Sequence, residues 1–447
     1  MRVPVLVVMP AQEPLRESAF AANENRPADI PLESAIVPGG IELDASYPPV
    51  PLGIGGGSAM FVESATPGQS QQFVVRGFVE AATRQDVPAV VGGQRVFADI
   101  PIQPFVTCLG DPPLGDVARV RQKLQADALA AKGLDGTDVA IAIMDNGIDL
   151  VHLATRLGST PRLDVANSWS TAALTTPPGA YPTDHGTMCA FDALVVAPAA
   201  TLLDYPIYGR DVAGGSVASG TIGTALQAFA SLLTNWRVAF APGGLWNYRG
   251  LVVSNSWGIY DPGWDFPPGH PGRYIDNPLH PFNQIVGVLA SVGADILFAA
   301  GNCGAQCADA RCLGRTRGTI MGANAHPDVL TIAGCDTNDV LVGYSSQGPS
   351  IAGLHAEKPD LTTYTHFLGS ETYGTGSPDS GTSTACPVAA GCVAALRTRL
   401  SPGTHPPRSL FTQLRTTARP GPGPAGWNGD YGHGLLDPLN AANTLGL

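Results

Sequence analysis

Short unbroken apolar runs alternate with amphipathic stretches over the C-terminal three quarters of the chain. Residues 139–144, Val-Ala-Ile-Ala-Ile-Met, form the clearest run, as expected of a parallel strand covered on both faces. Residues 201–207, 251–254, 295–299 and 329–333 read as further strands. Helical patterning falls on 186–196, 216–235, 282–292 and 384–399. Residues 116–132 predict one amphipathic helix with Val117, Val120, Leu124, Ala128 and Leu129 on one side. Alternating strands and helices predict an α/β fold: three layers around a mostly parallel central sheet. Residues 259–281 interrupt the rhythm with Pro-Gly-rich sequence and read as a long ordered loop between a strand and a helix.

The N-terminal quarter differs. Residues 1–70 are rich in Pro, Gly, Ala and Glu with little periodicity, and read as loop or extended chain. Residues 71–109 carry a small α+β pattern: a strand at 72–79, a short helix at 80–89 limited by Pro88, and a strand at 95–100. Residues 105–115 read as a Pro/Gly-rich linker, and 110–447 as the main domain.

Composition narrows the function classes. The 447 residues carry a net charge of −12, with 44% apolar and 14% charged residues, a globular balance. No Lys/Arg cluster exists to neutralise phosphates, so nucleic acid is not the expected partner. No apolar run approaches the roughly 18 residues of a membrane span. The start, Met1 to Pro10, is apolar but short and broken by prolines, with no clear signal peptide. Eight cysteines (Cys108, Cys189, Cys303, Cys307, Cys312, Cys335, Cys386, Cys392) are too sparse to declare a disulfide scaffold.

Three short motifs carry chemistry. Met144-Asp145-Asn146-Gly147 ends the apolar strand, Asp184-His185-Gly186-Thr187 opens a helix, and Ser380-Gly381-Thr382-Ser383 opens another. A serine hydroxyl needs a neighbouring base to act as a nucleophile, and a histidine is that base near neutral pH. A helix N-terminus disfavours the imidazolium at His185, and a carboxylate at Asp145 would orient the ring and stabilise the cation that forms. The Ser383 N–H, also at a helix N-terminus, is suited to a developing oxyanion, and Pro387 is expected in the first helical turn. Asn302, after Phe298-Ala299-Ala300-Gly301, is the candidate second donor.

With Ser254-Asn255-Ser256-Trp257-Gly258, Tyr344-Ser345-Ser346-Gln347-Gly348, Lys358-Pro359-Asp360 and Tyr431-Gly432-His433-Gly434 in the same order, residues 110–444 resemble the subtilisin-like serine proteases, the subtilases. The resemblance implies an endopeptidase with an Asp145–His185–Ser383 triad and Asn302 in the oxyanion hole. It also implies that the strand around Ser254, Ser256, Trp257 and Gly258, with Ala300 and Gly301, binds the substrate backbone of a protein or peptide. No cofactor is implied for catalysis and no metal ligand is assigned. Structural calcium is an expectation of the resemblance alone, since no EF-hand-like spacing is present. Asn146 stands where the family has Ser or Thr. Cys189 resembles the kexin-like branch and Cys386 the plant subtilases, and both read as buried free thiols. Residues 71–104 resemble the family's propeptide, which would mask the cleft until cut near residues 104–115; a permanent accessory domain is the alternative.

Other features read more plainly. Cys303, Cys307 and Cys312 with Cys335 fit disulfides better than zinc, because the paired Cys-x₂-Cys knuckle is missing. Asp261, Asp265 and Asp276 read as solvated carboxylates, and His270 and His280 as loop residues. Two rival functions are a sedolisin-type acid peptidase, against which His185 argues, and a catalytically idle subtilase fold used as a binding module.

Overall fold

The computed structural model describes all residues except 24–25, 53–71, 105–111, 172–174, 209–219 and 239–247. The chain forms two compact units: Met1–Pro101 with Gly220–Trp246 and Pro262–Val292, and Ile102–Ser219 with Asn247–Asp261 and Gly293–Leu447.

The second unit is built on a seven-stranded sheet. Its order is Leu361–Tyr364, Leu330–Cys335, Ala294–Ala299, Gly250–Asn255, Val139–Asp145, Thr201–Pro206 and Arg162–Leu163, every neighbour parallel. Val139–Asp145 lies inside the sheet and is buried at every residue, which is why its sequence is unbroken apolar up to the terminal aspartate. The parallel sheet and its five inner strands follow the sequence expectation, while the edge strands Leu361–Tyr364 and Arg162–Leu163 were not expected. The His185–Leu194 and Thr382–Arg397 helices are wholly buried and pack on each other. Small residues permit that approach: a Cβ on Gly391 would lie 2.3 Å from the Ala193 carbonyl oxygen.

Two buried charge clusters tie this unit together. Arg397 donates to both carboxylate oxygens of Asp295 at 2.5 and 2.7 Å, joining a helix to the strand beneath it. Lys358 Nζ donates to Asp360 at 2.6 Å, and Asp360 also accepts from the Thr331 N–H and from Arg415. The Lys358-Pro359-Asp360 motif therefore serves the frame.

The helix expected over 116–132 is broken in two, Val117–Lys123 and Ala126–Ala131. Gln125 sits between them with φ 53°, a left-handed backbone that no helix continues through.

The first unit corrects the reading of residues 1–70 as loop. Arg2–Pro10 is a strand and Glu13–Asn23 a helix. The strand runs antiparallel to Gln72–Glu80 along its full length, and Gln94–Ala98 pairs its other side at Val5–Val7. Pro4 and Pro10, which made the run look broken, fall beyond that second pairing, where a missing N–H is tolerated. The helix expected over 80–89 is only a 3₁₀ turn, Arg84–Asp86; Asp86 accepts from the N–H and hydroxyl of Thr83, and Val87-Pro88 stops further winding. The linker expected at 105–115 lies mostly outside the described residues.

In the insertion at 259–281, Asp265 and Asp276 are not simply solvated carboxylates either. Asp265 is fully buried and accepts from the N–H groups of Phe266, Tyr274 and Ile275 at 2.7–2.9 Å. It organises the turn, and burial pushes its carboxyl up to about 6 despite those bonds. Asp276 pairs with Arg273. His280 is buried as the N-cap of the Pro281–Ser291 helix, its Nδ1 accepting from the Phe282 N–H, and burial lowers its pKa to about 3. His270 accepts from the Gly272 N–H within the same loop.

Candidate active site

Strand ends and helix starts deliver the chemical groups. Asp145 ends a central strand, His185 is the first residue of one buried helix, and Ser383 is the second residue of the other. All three are buried. His185 Nδ1 lies 2.9 Å from both Asp145 oxygens, so any proton exchange by the ring falls to Nε2. Ser383 Oγ donates to the Ser256 carbonyl at 3.3 Å. The structure thus brings Asp145 and His185 into direct contact and sets Ser383 on the helix packed against that of His185.

Asn146 performs local work. Its side-chain oxygen accepts from the Gly186 N–H at 2.7 Å, tying the aspartate motif to the histidine motif. A Cβ at Gly186 would lie 2.5 Å from the Gly147 carbonyl oxygen, so glycine is required there. Cys189 is a free buried thiol, its Sγ 3.7 Å from Asp145, 3.8 Å from His185 Nδ1 and 3.5 Å from the Ser383 carbonyl. Asp145, His185 and Cys189 are therefore grouped closely enough to hold a metal ion. Burial, with Asp145 adding to it, pushes the thiol well above its ordinary value, which keeps it a poor ligand at neutral pH.

Pro387 is not in the first helical turn, as the sequence reading placed it, but further inside. A residue there would normally donate to the Ser383 carbonyl four positions back, and proline has no N–H to give. That carbonyl accepts instead from Ser256 Oγ at 2.9 Å and from the Cys189 thiol. The proline thus leaves an acceptor through which the Ser383 backbone is fixed to neighbouring elements.

Asn302 follows the Ala294–Ala299 strand and is fully buried. Its side-chain oxygen accepts from the N–H and hydroxyl of Thr382, both at 3.0 Å. The acceptor end of the carboxamide is thereby fixed, and its NH₂ is the end able to donate elsewhere. Gly301 N–H donates to Thr382 Oγ1 at 3.0 Å and Gly301 has φ 103°, a turn that favours glycine. A disulfide joins Cys303 to Cys312, closing the loop next to Asn302; Cys307 is also disulfide-bonded, while Cys335 is a free thiol. The disulfide reading, preferred to zinc, therefore holds for Cys303, Cys307 and Cys312 but not for Cys335. Cys386 is a free buried thiol as well.

The expected substrate-binding residues divide by role. Trp257 and Gly258 form a short strand paired antiparallel with Pro104 and Gln103. The Trp257 side chain is buried, edge-on to Phe298, so only its backbone serves that pairing. Ser256 Oγ turns to the Ser383 carbonyl, and Ser254 Oγ lies 3.8 Å from Cys386 Sγ, which makes Ser254 a packing residue. Ala300 and Gly301 are buried in the loop leading to Asn302.

Two supporting residues were given no role by the sequence reading, which did not name Asn324 and named Tyr344 only within its motif. Asn324 donates to the carbonyls of Trp257 and Ala299 at 3.0 and 2.9 Å, joining the Trp257–Gly258 strand to the end of the strand before Asn302. Tyr344 accepts from the Gly381 N–H at 3.1 Å, two residues before Ser383. A single polar residue in Gly322-Ala323-Asn324-Ala325 carries no pattern that announces such a role.

Asp204 supports the loop after Asp145, accepting from the N–H groups of Gly179 and Ile148 at 2.8 and 3.2 Å. Desolvation raises its carboxyl to about 7. The folded protein then holds a proton that the unfolded chain releases from about pH 4, so this group's contribution to stability falls as pH climbs from about 4 to about 7. Asp204→Asn keeps an acceptor without the charge. Its melting temperature relative to the parent is expected to rise between pH 5 and pH 8; a pH-independent difference in thermal scans would contradict that.

Comparison with known proteins bears on the family and the fold. The subtilase family model matches residues 136–434. The crystal structure of a lanthipeptide protease is similar in fold, with TM-score 0.52 and 17% identity over 76% of this chain and 100% of the other. No curated protein matches. The chain belongs to the subtilase family of serine peptidases.

Proposed function

We propose that this protein is a serine endopeptidase. Ser383 attacks the peptide carbonyl, His185 Nε2 takes its proton and later returns it to the leaving amine, and Asp145 orients and stabilises the imidazolium. Asn302 and the Ser383 N–H receive the oxyanion. The observation that carries the reading is the His185 ring clamped by both Asp145 oxygens at 2.9 Å, on a helix packed against the one that opens at Ser383. The same contact disfavours the sedolisin-type alternative, in which no histidine serves as base.

Regulation by the chain's own N-terminal region belongs to this reading. Gln103 and Pro104 lie along Trp257 and Gly258, where a substrate backbone would add a strand. Residues 1–104 then act as a prosegment, and active protein should show a new N-terminus between roughly residues 104 and 125, since exposed connecting segments are where chains are nicked. N-terminal sequencing of purified active protein, beside an assay on a denatured protein substrate, tests both parts. Full activity in an intact chain starting at Met1 would remove the prosegment; no hydrolysis after the new N-terminus appears would remove the peptidase.

A further inference from the structure

Beside the strand at Trp257–Gly258 lies a charged side chain that the triad does not use. Arg311 sits in the loop closed by the Cys303–Cys312 bridge, and its Nη1 donates to Gln103 Oε1 at 2.8 Å. The guanidinium is held in place from other directions. Asp309 accepts from Nε and Nη2 at 3.0 Å each. The Tyr260 hydroxyl accepts from Nη2 at 2.6 Å, and the guanidinium carbon lies 3.9 Å from the centre of the Tyr260 ring. Tyr260 is itself fully buried, so the platform under the guanidinium is rigid. Cation–π stacking, a two-point ion pair and a closed loop fix the direction of the remaining donor.

Gln103 is placed by its backbone as well. It lies opposite Gly258 in the antiparallel pair, with Pro104 opposite Trp257. In a peptide bound in this register, the residue two positions after the one opposite Gly258 would face Ser256, whose carbonyl accepts from Ser383 Oγ at 3.3 Å. Gln103 therefore stands where the third residue before a scissile bond would stand.

We propose that Arg311 is a specificity-determining residue, selecting substrates with a hydrogen-bond-accepting side chain, Gln or Glu, at the third residue before the cut. This deepens the peptidase reading and rests on it for the word substrate. A guanidinium carries donors only, so its ligand must accept. Asp309 already balances the charge, so a neutral amide fits as well as a carboxylate. A lysine can only donate, and it meets the donor end of Arg311, while both Asp309 oxygens already accept from that guanidinium. A charge-assisted hydrogen bond at a half-buried site is worth about tenfold in recognition.

Two measurements test it. In the first, the full chain carrying Ser383→Ala, so that it stays uncut, is followed by hydrogen exchange at the amides of residues 102, 103 and 258. Gln103→Ala and Arg311→Ala should each speed exchange about tenfold, and the double variant should be no faster, because each removes the same contact. Unchanged exchange in both single variants overturns the proposal. In the second, active protein cleaves nonapeptides with the sequence of residues 99–107 and Gln, Glu, Ala or Lys in place of Gln103. Gln and Glu should exceed Ala about tenfold in kcat/KM, with Lys lowest and the cut after the second residue beyond the varied position. Arg311→Ala should bring the Gln-to-Ala ratio near one while the Ala peptide is cut as before, and Arg311→Lys should restore it only in part. Cleavage without Arg311-dependent preference overturns the inference and leaves the peptidase standing. Coupled exchange with no cleavage of any peptide keeps the Arg311 contact and removes the peptidase.

Discussion

Ser383→Ala is expected to lower kcat by at least about 10⁴-fold, with His185→Ala nearly as severe and the double variant little worse than either. The reasoning is that the residues act as one device. Without Ser383 there is no nucleophile, and His185 has no proton to accept. Without His185 the Ser383 hydroxyl stays protonated, and its carbonyl fixed by Ser256 and Cys189 is no help to reactivity. Multiplying losses would mean that the two groups work independently. The Ser383→Ala chain should also persist at full length if removal of the N-terminal region depends on the same serine. Steady-state kinetics on one peptide, with circular dichroism to show the fold retained, checks all three variants.

Asn302→Ala should lower kcat by about 10²–10³ with little change in KM, the size of effect that loss of one oxyanion donor has in subtilisin. The substrate carbonyl is neutral on binding and negative only in the transition state, so the donor acts mainly on kcat. The variant has a second consequence that must be separated. Asn302 accepts from the Thr382 N–H and hydroxyl, and truncation leaves buried donors there unpaired, at a cost of about 1–3 kcal/mol in stability. Thermal unfolding reads that cost and kcat reads the catalytic loss. A variant that melts lower but turns over normally would make Asn302 a frame residue only.

The sheet and the chemical groups were legible because each left a local mark. Val139–Asp145 is continuously apolar and ends in a carboxylate, a pattern with few other meanings. His185 and Ser383 stand at the starts of segments whose small apolar residues predict buried helices. Other features depend on partners distant in sequence. Arg2–Pro10 is a strand because Gln72–Glu80 lies beside it, and its prolines are harmless only because the third strand is short. Asp265 looked like a solvated loop carboxylate, yet it is the acceptor around which its turn is built. The break at Gln125 gives no apolar signal, since the helical periodicity passes straight across it. Pro387 was misplaced because its meaning lies in the carbonyl of Ser383 and in what replaced its helical donor.

We propose Ser383 as a nucleophile activated by His185 and Asp145. The most direct measurement is labelling by a fluorophosphonate probe, read by intact mass and peptide mapping. One probe per processed chain at Ser383, none in Ser383→Ala and markedly slower labelling in His185→Ala is the predicted result. Labelling elsewhere, or at Ser383 with a rate indifferent to His185→Ala, would contradict it.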